Sequence, residues 1–258
     1  MRLDKELVLR NMAPTRTKAQ ELISNNYVKV NDKIISKLSF DIKENDIINI
    51  VSNDTLKYVS RGGLKLEKAI NEFDLNFNNK IIMDIGSSTG GFTDCSLKYG
   101  AKKVIAIDVG TNVMVDILRN NPLVELHENL NIKDASSKLF KDIDIIVSDV
   151  SFISIKKVLD RIKKEDKMYE LVILIKPQFE CGYDIATKYK GVILNKDIHL
   201  NILNDVISYF EQNNYYLNNL TSSPIKGGDG NIEYLAHFNN NYKKKINYRN
   251  LIEKAFEK

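Results

Sequence analysis

The stretch "KIIMDIGSSTGGFTD", residues 80–94, decides the fold. A mostly apolar run, 81–85, ends at Gly86, and a loop of Ser, Thr and Gly then leads into the helical pattern "GFTDCSLKYG". Glycines at such a turn allow a tight bend and let the backbone approach a ligand closely. The order strand, glycine loop, helix predicts the opening unit of an α/β sheet that binds a cofactor.

The spacing of this loop narrows the kind of cofactor. Gly86-x-x-x-Gly90 is not the Gly-x-Gly-x-x-Gly of dinucleotide folds, and the phosphate-loop Gly-Lys-Ser/Thr is absent from the sequence. About twenty residues further on, "KKVIAIDVG" predicts a second strand that ends in Asp108. An acid there can accept hydrogen bonds from both ribose hydroxyls. The loop and the acid together indicate a cofactor with a ribose but no pyrophosphate.

The rest of the chain continues the alternation of strands and helices. Further strands are predicted at "VELHE", "IDIIVSD", "LVILIKP", "YYLNNLTS" and "IEYLAHF", and 199–214 reads as an amphipathic helix. The last two strands are joined by the turn-rich "SSPIKGGDGN", which predicts a hairpin at one edge. The pattern therefore predicts a doubly wound, Rossmann-like α/β sheet.

This layout and the glycine loop resemble the S-adenosylmethionine (SAM) dependent methyltransferases. The resemblance implies SAM as the cofactor. It assigns cofactor binding to Gly86, Ser87, Ser88, Gly90, Phe92, Asp108 and Asn131.

Two buried-looking strands end in charged residues. "IDIIVSDV", 143–150, ends in Asp149, and "LVILIKPQFE", 171–180, runs into Lys176. Charge is costly to desolvate, and ligands of open parallel sheets bind at the carboxyl ends of the strands. Lys65, in "YVSRGGLKLEKAI", and Glu233, in "GNIEYL", complete a Lys-Asp-Lys-Glu set in chain order. The set resembles that of the ribose 2′-O-methyltransferases, in which these four residues are catalytic.

The whole chain resembles the TlyA-type family, described as ribosomal RNA methyltransferases and often labelled haemolysins. The motifs "VSRGGLKL", "DIGSSTGGFTD", "DVGTN", "SDVSFIS", "LIKPQFE" and "GGDGNIEYL" match in order, and the resemblance covers essentially all 258 residues. The resemblance implies methyl transfer to a ribose 2′-hydroxyl of ribosomal RNA, at a cytidine. Whether Lys176 acts as a neutral base or as a cationic stabiliser stays open.

Residues 1–57 are predicted to form a separate α+β domain, and 58–258 the methyltransferase domain. "RLDKEL", "RTKAQELI" and "YVKVND" resemble the ribosomal-protein-S4-like RNA-binding domain, with two helices and a hairpin around Asn31-Asp32. The resemblance implies that Arg2, Arg16 and Lys18 contact RNA phosphates, and Arg61 is assigned to RNA as well. Residues 1–37 and 243–258 each carry a net charge of +4, which favours a polyanionic partner.

Composition limits the alternatives. No apolar run approaches the ~20 residues of a membrane helix, and the N-terminus is too charged for a secretory signal peptide. With 2 cysteines and no metal-ligand spacing, we expect a cytoplasmic protein without metal. The resemblance implies ribosomal RNA or ribosomal subunits as its partner. A nucleobase N-methyltransferase, a pore-forming haemolysin and an RNA-binding module with an inactive cofactor fold are the alternatives. The oligomeric state stays open, and His127, His199 and His237 are expected to be structural.

Overall fold

The computed structural model describes residues 1–24, 27–50, 57–241 and 246–257. It divides into two compact units, Met1–Ser60 and Arg61–Lys258. The domain boundary predicted after residue 57 adjoins residues 51–56, which lie outside the described residues, as does the lysine-rich run at 243–245.

The N-terminal unit consists of two helices and a small antiparallel sheet. Thr15 Oγ1 accepts a hydrogen bond from the Lys18 backbone N–H at 3.2 Å and so caps the second helix. Asn31 and Asp32 both have positive φ and join the first two strands in a two-residue turn, which confirms the predicted hairpin. The elements are α1 (Leu3–Leu9), α2 (Arg16–Ser24), β1 (Val28–Val30), β2 (Lys33–Ile34) and β3 (Ile48–Ile50), in sheet order β2-β1-β3.

The C-terminal unit is a seven-stranded sheet flanked by helices. Its strands are β4 (Ile81–Ile85), β5 (Lys103–Ile107), β6 (Val124–His127), β7 (Ile145–Ser148), β8 (Glu170–Ile175), β9 (Tyr216–Ser222) and β10 (Tyr234–Asn239). The helices are α3 (Gly62–Phe73), α4 (Gly91–Lys98), α5 (Asp116–Arg119), α6 (Ile155–Ile162), α7 (Pro177–Glu180), α8 (Tyr183–Lys188), α9 (Lys196–Glu211) and α10 (Arg249–Phe256).

The strand order locates the site. The sheet runs β6-β5-β4-β7-β8-β10-β9, with β10 antiparallel to both of its neighbours and the other pairs parallel. The chain leaves β4 toward β5 and β6 and then crosses back to β7 on the other side of β4. Such a reversal opens a crevice at the carboxyl ends of the strands. The doubly wound sheet and the hairpin at its edge are confirmed.

Packing around the last strands explains two sequence features. The α9 helix begins three residues earlier than the periodicity indicated, because Asn195 caps it by accepting a hydrogen bond from the Ile198 N–H at 3.0 Å. His199 lies buried with its ring nitrogens 2.7 Å from the Tyr234 hydroxyl and 2.9 Å from the Ile193 carbonyl oxygen. Burial lowers the pKa of His199, so this histidine is structural, as predicted.

Candidate active site

The loop after β4 requires its glycines. Gly86 and Gly90 have φ of +82° and +98°, a region that side chains rarely adopt. A Cβ at Gly86 would lie 3.0 Å from the Asp149 carbonyl oxygen, and one at Gly90 would lie 2.3 Å from Leu118 Cδ1. The loop can therefore pass close to both the end of β7 and the α5 helix only with glycine at these positions.

Asp108, at the end of β5, fixes the loop. Its Oδ2 accepts a hydrogen bond from the Ser88 N–H and its Oδ1 accepts one from the Gly110 N–H, both at 2.7 Å. Each carboxylate oxygen can accept a second bond. Asp108 is thus held in place by backbone donors with acceptor capacity left for a ligand.

A cavity of ≈ 620 Å³, the glycine-loop cavity, lies against this loop. Gly86, Ser88, Asp108 and Asn131, four of the residues assigned to the cofactor, line it, and so does Asp149. Its walls are Ile85, Gly86, Ser88, Ile107, Asp108, Val109, Leu130, Asn131, Ile132, Asp149, Val150, Ser151, Phe152 and Ile153.

Three predicted cofactor residues are outside that wall. Gly90 provides the positive φ that the turn requires, and Ser87 is a buried residue of the loop. Phe92 is 3% exposed in the first turn of α4 and does not line the cavity, so its contact with the cofactor stays a prediction.

Asp84 is a polar residue that the sequence reasoning missed. It is fully buried within β4, and its Oδ2 accepts a hydrogen bond from Thr93 Oγ1 at 2.6 Å. Burial is the main cause that raises the pKa of Asp84, to about 7. A charged residue inside an otherwise apolar strand was the available signal.

The loop residues fit SAM. Asp84 Oδ1 and Ser87 Oγ are buried and have no hydrogen-bond partner among the described residues. Buried polar atoms of this kind suit a ligand with hydroxyl and ammonium donors. Asp108 lines the cavity with acceptor capacity that a ribose could use.

The four predicted catalytic residues come together beside this cavity. Lys176 Nζ lies 2.6 Å from Asp149 Oδ1, and Lys65 Nζ lies 2.7 Å from Glu233 Oε2 and 3.5 Å from Asp149 Oδ2. The side chains are between 2% and 18% exposed. We call this chain of ion pairs, Lys176–Asp149–Lys65–Glu233, the tetrad.

The tetrad is balanced electrostatically. Burial alone would lower the pKa of Lys65, but the Asp149 and Glu233 carboxylates outweigh it, so the pKa of Lys65 is raised. Lys65 therefore stays an ammonium ion. Two cations and two anions at contact distance compensate for the desolvation that each would suffer alone.

Three further residues shape the tetrad. Ser151 Oγ accepts a hydrogen bond from Lys176 Nζ at 2.8 Å, and Gln178 Nε2 donates one to Glu233 Oε1 at 3.1 Å. Gly227 lies so close that a Cβ there would be 2.2 Å from Glu233 Oε1. Ser151 and Gln178 each follow a tetrad residue by two positions, but this spacing alone does not indicate the contacts that they make.

A second cavity of ≈ 650 Å³, the tetrad cavity, opens over Lys176 and Glu233. Two aromatic side chains on its rim are strongly exposed: Phe152 at 87% and Tyr183 at 83%. Phe152 also has φ +65°, which is uncommon for a bulky residue. The loop 151–153 lines both cavities, so it lies between the glycine-loop cavity and the tetrad cavity.

Glu180 anchors that loop. Ser154 Oγ donates a hydrogen bond to its Oε2 at 2.6 Å, and the Ile155 N–H donates one to its Oε1 at 2.7 Å. Burial is the main cause that raises the pKa of Glu180. The carboxylate thus caps the α6 helix and ties the loop to the α7 helix beyond Lys176.

The predicted RNA-binding residues differ in placement. Arg2 donates to both carboxylate oxygens of buried Asp4 at 3.0 Å, and Arg16 donates to Oδ2 at 2.9 Å, yet both arginines stay about half exposed. Burial would raise the pKa of Asp4, but hydrogen bonds from Gln20, Arg2 and Arg16 lower it far below its usual range. The arginines keep donors available for phosphate.

Lys18, unlike the two arginines, is buried. It is 6% exposed, and its Nζ donates a hydrogen bond to the Tyr58 carbonyl oxygen at 3.2 Å. The amine of Lys18 is placed to stabilise the fold of its own unit, and its contact with phosphate stays a prediction. Arg61 is half-buried and precedes α3 as its N-cap residue.

Comparison with known proteins supports both units. Residues 58–240 match the model of the FtsJ-like methyltransferase family, and residues 1–48 match that of the S4 domain. Hemolysin A from Brachyspira hyodysenteriae is 48% identical over 241 residues, covering 92% of this chain and 99% of that protein. The 23S rRNA (cytidine-2′-O)-methyltransferase TlyA from Campylobacter jejuni is 36% identical over 241 residues, covering 87% and 94%.

A solved structure spans the same length. A hemolysin from Streptococcus thermophilus has a TM-score of 0.77 and 33% identity, and the match covers 100% of this chain and 96% of that one. In the described parts of the present chain, no helix has the length and apolar character needed to cross a membrane.

Proposed function

Because this chain belongs to the FtsJ-like methyltransferase family and carries an S4 domain, we propose that it methylates the ribose 2′-hydroxyl of a cytidine in ribosomal RNA. It is a SAM-dependent methyltransferase, and the connected tetrad between two cavities is the observation that carries the proposal. The cytidine and the ribosomal substrate follow the printed name of the Campylobacter relative. A ribosomal substrate implies action in the cytoplasm.

The reaction depends more on the positioning of the two reactants than on a strong acid or base in the protein. Bound SAM supplies a methyl group already activated on a sulfonium. The protein's part is to hold the attacking oxygen in line, which can contribute up to ~7–11 kcal/mol. Asp108 and the glycine loop hold the ribose end, and the tetrad holds the substrate oxygen.

Lys176 is oriented to meet that oxygen. Its Nζ donates one hydrogen bond to Ser151 Oγ at 2.8 Å and lies 2.6 Å from Asp149 Oδ1 as an ion pair without an aligned hydrogen bond. Nζ thus has N–H donors left for the 2′-oxygen. We assign Lys176 the cationic role, in which it stabilises the negative charge that develops as the hydroxyl loses its proton.

Asp149 takes that proton in this scheme. Its Oδ2 has only the 3.5 Å contact with Lys65, so it keeps acceptor capacity. Lys65 and Glu233 hold the carboxylate in place from the other side.

Phe152 extends the proposal to the nucleotide. A positive φ in an exposed aromatic residue indicates that the loop is held in a strained form for function. An exposed ring on the rim of the tetrad cavity offers a stacking surface for a base turned out of the RNA. Stacking would orient the ribose toward Lys176.

Methyl transfer to unmethylated ribosomal RNA transcripts tests the proposal. Transcripts incubated with the protein and labelled SAM would be digested to nucleosides and separated by mass spectrometry. We expect 2′-O-methylcytidine. Label on a base would indicate the nucleobase alternative, and leakage of dye from liposomes with no label in RNA would indicate the haemolysin that the Brachyspira relative's name suggests.

A further inference from the structure

A groove rich in lysine adjoins the active site. It has a volume of ≈ 420 Å³ and shares Asn131, Ile132 and Ile153 with the glycine-loop cavity. Ile153 also lines the tetrad cavity, so one residue stands where all three spaces meet. The walls of this lysine groove are Asn131, Ile132, Lys133, Ile153, Lys157, Asp160, Arg161, Lys163 and Lys164.

Two of its five cations are already occupied. Lys163 Nζ lies 2.8 Å from Asp160 Oδ1. Arg161 is buried and donates to the Ala135 carbonyl oxygen at 2.7 Å, besides its ion pair with Glu165. Neither contributes an uncompensated charge to the groove.

The other three cations are exposed and less compensated, although Lys157 is near enough to Asp160 to help lower the pKa of that carboxyl. Lys133, Lys157 and Lys164 are solvent-exposed, and none forms an ion pair within 4 Å in the part of the chain that the structure describes. Three ammonium groups along one groove create a local positive potential that attracts a polyanion.

We propose that the lysine groove binds the phosphate backbone of the RNA strand beside the methylated nucleotide, an inference that rests on the proposed function. Lysine side chains meet phosphates as point charges without reading sequence. A strand held here reaches the tetrad cavity by passing over the loop 151–153 at Ile153. An acidic peptide would meet the same charges, but only RNA has to enter the cavity into which the groove leads.

Salt dependence of RNA binding tests this. The Lys133→Gln, Lys157→Gln, Lys164→Gln triple variant removes the three charges. Its matched control removes three exposed lysines elsewhere, Lys102→Gln, Lys141→Gln and Lys254→Gln, of which the first two lie near the amino ends of the parallel strands. Affinity for an unmethylated ribosomal RNA transcript is measured by filter retention across a salt series, with calorimetric SAM affinity as a folding check.

Each lost contact should lower the slope of log affinity against log salt by ~0.7–0.9. We expect the groove variant to lose about two to three units of slope, the control to keep the wild-type slope, and both to keep wild-type SAM affinity. A groove variant with the wild-type slope, or a control that falls equally, would overturn the proposal. The salt slopes and the methylation assay test different claims. Absence of 2′-O-methylation by the wild type would count against the proposed function, whatever the slopes are.

Discussion

At the scale of residues, the tetrad functions as a unit because its charges are buried together. Removing one partner from a buried ion pair leaves an uncompensated charge, which typically costs 3–5 kcal/mol, about the cost of losing a core side chain. Lys176 reaches the cluster from the end of β8 and Lys65 from α3, so two separate elements must be placed correctly for the charges to meet. A small displacement of either acid should therefore disturb catalysis before it disturbs folding.

Gly227 tests this without touching a charged residue. Gly227→Ala would put a Cβ 2.2 Å from Glu233 Oε1, so the carboxylate must move away from Lys65 and Gln178. We expect methyl transfer to fall by at least about tenfold, or ~1.4 kcal/mol in activation free energy, with SAM affinity unchanged. Steady-state kinetics and calorimetry on the same preparation measure both. Wild-type turnover would show that the position of Glu233 does not matter.

The buried carboxyl of Asp84 should make the stability of the folded protein depend on pH. The pKa of its buried carboxyl is raised to about 7, so the folded state holds a proton that the unfolded state releases above its ordinary pKa of ~3.9. Stability from this group is present at low pH and is lost as pH rises through about 7. Asp84→Asn lacks this titration.

The free energy of unfolding of Asp84→Asn minus that of the wild type should thus rise by up to ~1.4 kcal/mol per pH unit from ~4 to ~7, then level off. Urea unfolding without SAM at several pH values measures it. A difference that does not change with pH would contradict the raised pKa.

At the scale of elements, the site depends on where strands end. Lys176 and Asp149 come to neighbouring strand ends because β7 and β8 are parallel and paired in register. That could be predicted from the sequence, since apolar runs that end in charge mark the same edge of a sheet. Ser151, Gln178 and Gly227 could not be predicted so, because their roles depend on contacts with Lys176 and Glu233 made only in the folded chain.

The clamp, by which Glu180 of α7 binds Ser154 and Ile155 at the start of α6, can be tested directly. The chain has no tryptophan, so Phe152→Trp provides a single fluorescent probe on the loop 151–153. Adding Glu180→Ala removes the acceptor for Ser154 and Ile155, and we expect stronger acrylamide quenching, lower anisotropy and a loss of ~0.5–2 kcal/mol in stability.

Glu180→Gln is the matched control in that experiment. Its amide oxygen can accept from the Ile155 N–H and its amide nitrogen can donate to Ser154 Oγ, so the loop should stay ordered. Identical anisotropy in the alanine and glutamine variants would mean that the loop holds its form without the clamp.

At the scale of the whole molecule, we propose that RNA affinity and chemistry are carried by different residues. The tetrad and the glycine loop lie in the C-terminal unit, and the S4 match lies in the N-terminal unit. Charge counting predicted the basic character of residues 1–37 but could not separate exposed from buried lysines. Lys18 donates a hydrogen bond to the carbonyl oxygen of Tyr58, forty residues later in the chain, and only the fold reveals that contact.

Arg16 and Lys18 should therefore respond differently to alanine. Arg16→Ala leaves Asp4 with Arg2 and Gln20, so the fold should hold while the salt slope of RNA binding drops by ~0.7–0.9. Lys18→Ala should leave the slope unchanged and lower the melting temperature, because the Tyr58 carbonyl loses its donor. Filter retention and thermal unfolding distinguish them, and the reverse pattern would restore Lys18 as a phosphate contact.

The most direct test of the account is Lys176→Ala, compared with the exposed-lysine control Lys141→Ala. Calorimetric SAM affinity and label transfer to a ribosomal RNA transcript would be measured on the same samples. Because Asp108 and the glycine loop are untouched, we predict wild-type SAM affinity in both variants. Formation of 2′-O-methylcytidine should fall by a factor on the order of 10²–10³ in Lys176→Ala alone. Near-normal methylation by Lys176→Ala would contradict the assignment of the tetrad as the catalytic centre.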